Sequence, residues 1–182
     1  MNTEKKKKII LGVTGGIAAY KSAELCSMLC KNGYDVHVIM TASAQKLITE
    51  RCFLTLSQNP VICNLWDVPE WRPEHIELSE SADLLVVAPC TANFIGKYTH
   101  GIADDALTTT AMAFRGTVLL APAMNTRMWE APAVQENCRI LKSRGVFLVG
   151  PESGHLACGD EGKGRMSEPV NILAEVKRLL SE

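Results

Sequence analysis

Short apolar runs that alternate with helical patterns constrain the fold of this chain more than any other feature. The runs KIILGV, DVHVIM, ADLLVVAPC, GTVLLAP and VFLVG are rich in Val, Ile and Leu, and the segments between them carry apolar residues at helical spacing. Continuous apolar runs of this length are typical of strands buried on both faces. The alternation predicts a single α/β domain over residues 1–182: a doubly wound, Rossmann-like (flavodoxin-like) parallel sheet with helices on both faces.

The composition argues against several classes of partner. The formal net charge is -1, so no overall positive field points to nucleic acid. No apolar stretch reaches the ~20 residues that span a bilayer. The basic run Lys5–Lys8 leads directly into the first strand and lacks the apolar segment of a signal peptide, so it is interpreted as a solvated tail. We therefore expect a cytoplasmic protein without nucleic-acid or membrane partners.

The cysteines favour free thiols in a reducing compartment. Their count of seven is odd, they are widely scattered, and no pair has C-x-x-C spacing. A disulfide framework, a zinc site and a thioredoxin-type site are all unsupported by this pattern, and no metal is expected. Cys26 and Cys30 are four residues apart in a helical pattern, which predicts that both face the core.

Glycine and polar residues are concentrated in the segments that follow the predicted strands. In a parallel sheet these segments meet at the carboxyl edge, where ligands bind near a topological switch point. In GVTGGIAAYK, Gly15 and Gly16 lie between a strand and a helix, where the helix amino terminus suits a phosphate. The spacing is not G-x-G-x-x-G, so a mononucleotide, a flavin, a dinucleotide and a plain tight turn all remain open.

Two later segments, APCTAN and APAMN, repeat the plan of a strand, Ala-Pro and then small or amide residues. They are either ordinary strand-ending turns or ligand contacts, in which Asn93 and Asn125 would each offer a donor and an acceptor. His75 precedes a predicted short helix and is either catalytic or structural. The same alternatives apply to His37, His100 and His155, taken singly.

The segment GHLACGDEGKGRM, residues 154–166, has neither strand nor helix periodicity and is predicted to be a loop. Its glycines and charged residues surround Cys158. Most lone cysteines are buried apolar residues, but a thiol in such a loop can also serve as an acid or a nucleophile.

Taken together, these segments resemble the family of homo-oligomeric flavin-containing cysteine decarboxylases, over nearly the whole chain. PAMNTRMW is similar to the substrate motif of the family, and GHLACGDEGKGRM is similar to its substrate-binding clamp; these two matches are the most specific. GVTGGIAAYK and PCTAN resemble its flavin-binding motifs, and HIELS its active-site histidine segment. Phe94 stands where the flavin motif has threonine, so contacts at this position are the least transferable.

The resemblance implies FMN as the cofactor and a set of site residues. His75 would act in oxidation and decarboxylation, Asn125 would hold the substrate carboxylate, and Cys158 would donate a proton in a final reduction. The implied FMN-binding residues are Gly15, Gly16, Ile17, Ser43, Thr91, Ala92, Asn93 and Ala123. The implied substrate-binding residues are Met124, Asn125, Ala157, Arg165 and Met166.

Within the family, the motifs are most similar to the branch of coenzyme A biosynthesis that acts on the small molecule 4'-phosphopantothenoylcysteine and forms 4'-phosphopantetheine. This similarity implies a mobile clamp around residues 151–168 and a homotrimer, or a dodecamer built from trimers. Two alternatives stay open: an oxidative peptidyl-cysteine decarboxylase, which would not need Cys158, and a flavin-binding regulatory subunit of a phosphatase. Joint presence of His75, Asn125 and Cys158 favours the enzyme.

Overall fold

The computed structural model describes residues 6–66, 74–155, 159 and 161–181, and within these the side chains of residues 74–77 are excluded. A bilayer-spanning helix is not found in this part of the chain, because none of its helices combines the necessary length and apolarity.

The described residues form eight strands and eight α-helices, which alternate along most of the chain. The strands are β1 (Lys8–Val13), β2 (Asp35–Met40), β3 (Val61–Ile62), β4 (Leu84–Cys90), β5 (Thr117–Pro122), β6 (Phe147–Leu148), β7 (Glu152–His155) and β8 (Glu161–Arg165). The helices are α1 (Ala19–Lys31), α2 (Glu50–Ser57), α3 (Glu74–Ser81), α4 (Ala92–His100), α5 (Ala106–Ala113), α6 (Thr126–Glu130), α7 (Pro132–Ser143) and α8 (Pro169–Ser181). A 3₁₀ turn at Ala44–Lys46 follows β2.

The predicted doubly wound parallel sheet is confirmed. Six strands pair in parallel in the order β3-β2-β1-β4-β5-β6. This is the 3-2-1-4-5-6 order of dinucleotide-binding proteins, and it differs from the 2-1-3-4-5 order of flavodoxin. The chain reverses its direction of winding between β1 and β4. That point is the topological switch, and it selects the loops after β1 and β4 as the primary ligand-binding loops.

Both faces of the sheet are buried because successive strand residues point to opposite sides. Ile9, Leu11 and Val13 pack in one cluster with residues of α1, α2 and α8. Ile10 belongs to the second cluster, with residues of α4, α5 and α7. The near-continuous apolar character of the strands, which made them visible in the sequence, follows from this two-sided burial.

The segment predicted to be a long loop is instead largely a hairpin, and this part of the prediction is wrong. Glu152–His155 and Glu161–Arg165 pair as antiparallel strands, with Gly154 opposite Gly162. Pairing satisfies the backbone N–H and C=O groups without a large apolar core, so the sequence carries no apolar alternation to reveal it. The short helix α6, within TRMWE, was also not predicted.

Cys26 is buried as predicted, whereas Cys30 is only partly buried. Burial raises the pKa of the Cys26 thiol to about 12, with the neighbouring Cys30 contributing in the same direction. Cys26 is therefore a neutral core thiol near pH 7 and behaves as a small apolar residue.

Candidate active site

The loop after β1 is fixed to the loop after β4 by one buried hydroxyl. Thr14, which is 1% exposed, donates from Oγ1 to the carbonyl oxygen of Pro89 at 2.7 Å. The Thr14 Oγ1 in turn accepts the N–H of Thr91 at 3.1 Å. A single threonine thus joins the two loops at the topological switch and sets the spacing of the helices that follow them.

Gly15 brings this loop against the loop after β2. A Cβ at Gly15 would collide with the Cβ of Ser43, and it would lie 3.1–3.2 Å from the Ser43 backbone. Gly16 differs, since a Cβ there would make ordinary contacts of 3.5 Å with Pro89 and Thr91. Packing within the protein therefore requires glycine at position 15. At position 16 a larger side chain would fit, and the glycine instead leaves a space next to Pro89 and Thr91.

The helices α1 and α4 begin at these loops, and within the described residues neither has a side-chain cap. Ala18 and Thr91 occupy the N-cap positions. The first-turn N–H groups of a helix lack partners inside the helix, and the helix dipole places partial positive charge there. Two such ends at one sheet edge suit an anionic or strongly hydrogen-bonding ligand.

The loop after β5 is organised by Asn125, which caps α6. The Asn125 Oδ1 accepts the N–H of Arg127 at 2.8 Å. The preceding residue, Met124, donates its N–H to the carbonyl oxygen of Gly164 at 2.9 Å, so strand β8 of the hairpin lies directly against this loop. The hairpin therefore forms a wall beside the residue predicted to hold the substrate carboxylate.

One cavity of about 990 Å³ lies between these loops and the hairpin. Its size is at the upper end of the range for small-molecule sites. The predicted residues that line it together are Gly15, Gly16, Ile17, Ser43, Thr91, Ala92, Asn93, Ala123, Met124, Asn125, Arg165 and Met166. Residues from four strand-end loops and from β8, far apart in the sequence, are thus brought to one site. Their individual roles stay predictions.

Charged side chains occupy two parts of the cavity wall. On one side, the Lys21 ammonium contacts both carboxylate oxygens of Glu168 at 2.8 Å, and Arg165 Nη2 lies 3.2 Å from the same carboxylate. On another, Lys97 Nζ lies 2.7 Å from Asp104 and 3.9 Å from Asp105. The hydrogen bond from Lys97 lowers the pKa of Asp104. Lys21, Arg165 and Lys97 are all held in defined positions by carboxylates.

Three predicted site residues fall outside what the structure describes. His75 lies in α3, but its side chain is not among the described ones, and Ala157 and Cys158 lie outside the described residues. Phe94, the departure from the flavin motif, is 1% exposed and belongs to the core, and it also lines the cavity.

Several cavity residues were missed by the sequence analysis. Thr14 immediately precedes the two glycines, and Lys21 ends the quoted segment GVTGGIAAYK one turn after Ile17. Lys97 follows Asn93 by four residues on α4, which places both on one helix face. This spacing was a usable signal. His155, exposed at the end of β7, also lines the cavity, and the sequence had left open whether this histidine is catalytic or structural.

Among the described residues, no group of three or more His, Cys, Asp and Glu side chains is arranged to hold a metal ion.

A family model described as Flavoprotein matches residues 1–181. The chain belongs to the Flavoprotein family. Among curated relatives of this flavoprotein, the coenzyme A biosynthesis bifunctional protein CoaBC of Haemophilus influenzae is 42% identical over 177 residues, which cover 97% of this chain and 44% of that protein. CoaBC of Bacillus subtilis is 43% identical over 179 residues, with 97% and 44% coverage. The chain spans less than half the length of these curated relatives.

Three solved structures are similar to this flavoprotein in fold as well as in sequence. A cysteine-to-serine mutant of PPC decarboxylase, complexed with pantothenoylaminoethenethiol, has a TM-score of 0.87 and 30% identity, covering 98% of this chain and 100% of that one. The FMN-dependent cysteine decarboxylase SpaF has a TM-score of 0.83 and 29% identity, with 96% and 95% coverage. The FMN binding protein AtHal3 has a TM-score of 0.82 and 32% identity, with 96% coverage of both. The resemblance to flavin-containing cysteine decarboxylases is confirmed.

Proposed function

We propose that this flavoprotein binds FMN and catalyses the decarboxylation of 4'-phosphopantothenoylcysteine to 4'-phosphopantetheine, a step of coenzyme A biosynthesis. The observation that carries the proposal is the single cavity whose wall combines the predicted flavin residues with the predicted substrate residues. The names of the relatives agree with it, since they include coenzyme A biosynthesis proteins and PPC decarboxylase.

The residues of the cavity fit a flavin mononucleotide. The two uncapped helix ends and the open space at Gly16 suit a phosphate and close backbone approach. Hydroxyl and amide side chains at Ser43, Thr91 and Asn93 suit a polar chain and ring edge, and Ile17 offers apolar surface to a ring. We propose that these residues, with Gly15, Ala92 and Ala123, hold FMN.

Decarboxylation of a cysteine derivative needs an electron acceptor, because loss of CO2 leaves an electron pair on a carbon with no adjacent sink. FMN, when bound, would supply that capacity, because a flavin can take up and give back two electrons. The residues of the chain then have three tasks: to hold the carboxylate, to hold or move protons, and to exclude water.

Asn125 is the residue we assign to the carboxylate. An ionised carboxylate only accepts hydrogen bonds, so the donating half of the amide, Nδ2, is the part that suits it. The Oδ1 of the same Asn125 amide accepts the N–H of Arg127, and this hydrogen bond fixes the orientation of the amide plane. Met124, at the same turn, would contact the substrate beside it.

Cys158 and His75 are the residues we assign to proton transfer. Cys158 lies in the connection between β7 and β8, and we propose that residues 151–168 act as a mobile clamp that carries this thiol to the substrate and excludes water. The thiol would give a proton to the carbon skeleton during the final reduction. His75, near the start of α3, would act in the oxidation and decarboxylation half.

The direct test supplies 4'-phosphopantothenoylcysteine to the yellow, purified oligomer and measures CO2 and the product by mass spectrometry. Stoichiometric CO2 and 4'-phosphopantetheine are expected. A correctly folded, flavin-loaded protein that releases no CO2 would refute the enzyme and leave the alternative of a flavin-binding regulatory subunit.

Two variants test the assigned roles. Cys158→Ser is expected to release CO2 but to stop at the oxidised enethiol, two hydrogens short of the normal product. Formation of 4'-phosphopantetheine by this variant would contradict the role of Cys158. The oxidative peptidyl-cysteine branch would be favoured instead if the wild type also stopped at an enethiol and Cys158→Ser left that product unchanged. His75→Asn is expected to lose CO2 release while keeping bound flavin; loss of the flavin as well would make His75 structural.

The proposal extends to a homotrimer, or a dodecamer built from trimers. It is supported by apolar side chains at the cavity rim, where Ile17 is 63%, Tyr20 65% and Met128 49% exposed, since a second protomer would cover them. A mass measurement in solution tests it, and a monomer would contradict it. We propose the reducing cytoplasm as the compartment, in agreement with the odd number and wide scatter of the seven cysteines.

A further inference from the structure

The docking of the hairpin onto the loop after β5 depends on two glycines of β8. At Gly164 the contact is backbone to backbone: its carbonyl oxygen accepts the Met124 N–H, and a Cβ at this position would collide with the Met124 carbonyl oxygen. Gly164 also has a φ of 157°. A side chain at this position is therefore excluded by the main chain itself.

Gly162 lies two residues earlier and faces the same turn, but its contact is with a side chain. A Cβ at Gly162 would collide with Oγ1 of Thr126, and it would lie 3.0 Å from Thr126 Cγ2 and 3.2 Å from Thr126 Cβ. Both distances are shorter than ordinary carbon–carbon contacts. The Thr126 side chain thus fills the space that the missing Cβ of Gly162 leaves.

No other structural role of Thr126 is evident among the described residues. Its Oγ1 is buried and, among the residues described, has no hydrogen-bond partner. Thr126 is also not one of the residues that line the cavity. It directly follows Asn125, however, and therefore joins the carboxylate-binding turn to the hairpin.

We propose that Thr126 is a positioning residue whose side chain interlocks with Gly162 and fixes the hairpin at a set distance from the Asn125 turn. The functional consequence rests on the function proposed above, in which Asn125 holds the substrate carboxylate and Cys158 donates the final proton. Displacement of the hairpin slows the delivery of the Cys158 proton more than the loss of CO2, so the enethiol accumulates.

The first test is Gly162→Ala, read by hydrogen exchange at the Met124 amide in the flavin-loaded protein. This amide reports docking directly, because its partner is the carbonyl of Gly164. Overpacking a close contact shifts an equilibrium by roughly one to two powers of ten, so exchange is expected to be at least about tenfold faster. In the same variant, the ratio of enethiol to 4'-phosphopantetheine is expected to rise.

The decisive test is rescue. Thr126→Ala removes Oγ1 and Cγ2 and leaves only the 3.2 Å contact with Cβ, so Gly162→Ala combined with Thr126→Ala is expected to regain most of the slow exchange and the normal product ratio. Gly164→Ala is the matched control: the colliding atom is a backbone oxygen, so Thr126→Ala cannot restore its docking.

A third variant separates shape from hydrogen bonding. Thr126→Val keeps the shape of the side chain and replaces the unpartnered hydroxyl by a methyl group. Slow exchange of the Met124 amide is expected to persist. Rapid exchange in this variant would show that the hydroxyl, not the shape, holds the hairpin, and would overturn the proposal.

The proposal is also overturned if Gly162→Ala docks as the wild type does, or if Thr126→Ala rescues both glycine variants or neither. The exchange measurement does not depend on turnover. A wild-type protein that releases no CO2, but whose variants follow the expected exchange pattern, would therefore refute the proposed reaction and leave the interlock standing.

Discussion

Thr14 offers the sharpest test of how the cavity is held together, because one buried hydroxyl links its two principal loops. The substitution Thr14→Val keeps the shape of the side chain and replaces its hydroxyl by a methyl group. The Pro89 carbonyl, 2.7 Å from the hydroxyl oxygen, and the Thr91 N–H, 3.1 Å from it, both lose their partner.

The cost follows from these two groups. A buried donor or acceptor that loses its partner costs about 1–2 kcal/mol each. Burial of the added methyl group returns about 1 kcal/mol, so we expect a net loss of about 1–3 kcal/mol in the free energy of unfolding. For a chain of 182 residues this corresponds to a decrease of roughly 2–12 °C in Tm.

The assay is thermal and urea unfolding of the flavin-free protein, followed by titration with FMN. Thr110→Val is the matched control: Thr110 is fully buried, and its Oγ1 donates to the Ala106 carbonyl at 2.7 Å, an acceptor already within the ladder of helix α5. Its loss orphans no group, so a change below about 1 kcal/mol is expected. FMN affinity should decrease for Thr14→Val and not for Thr110→Val.

Equal losses in the two variants, or a loss below about 1 kcal/mol at Thr14, would refute the reasoning. Either result would mean that the Thr91 N–H and the Pro89 carbonyl find other partners, and that the loops do not depend on this hydroxyl for their spacing.

Three further outcomes are expected. Gly16→Ala should change the Tm of the flavin-free protein by no more than about 2 °C relative to the wild type, because the added Cβ meets only ordinary contacts of 3.5 Å. The same variant should bind FMN at least about tenfold more weakly in a fluorescence titration. Unchanged affinity would contradict the assignment of the space at Gly16 to the ligand. The free energy of unfolding should decrease between pH 9 and 11. The reason is that the Cys26 thiol has a pKa of about 12 in the folded protein, whereas the unfolded thiol loses its proton near pH 9.0. In urea titrations, Cys26→Ala should reduce the slope of this free energy against pH by up to about 1.4 kcal/mol per pH unit. Glu168→Gln should lower the free energy of unfolding by about 1–2 kcal/mol, since the side chain of its partner Lys21 is only 15% exposed. Glu175→Gln breaks a more exposed ion pair and should lower it by less than about 0.5 kcal/mol. Equal losses would count against the Lys21 ion pair.

The sequence by itself determined the fold class, most of the elements and the edge of the sheet that carries the cavity. Strands such as Leu84–Cys90 are buried on both faces, so local composition alone reveals them. Alternation with helices then requires parallel pairing, and parallel pairing brings every strand-end loop to one edge. Gly15, Asn93 and Asn125 could be found in this way because each lies within three residues of the end of a strand.

The tertiary structure alone decided how these loops contact one another. The hairpin was invisible in the sequence because its strands are held by backbone pairing and by glycines, not by apolar alternation. The link from Thr14 to Pro89 and Thr91, and the fit of Thr126 against Gly162, join residues that are distant along the chain. The local sequence pattern reflects the conformational propensities of individual residues. Contacts between distant residues depend instead on how closely two backbone segments approach each other, and only the packed fold sets that distance.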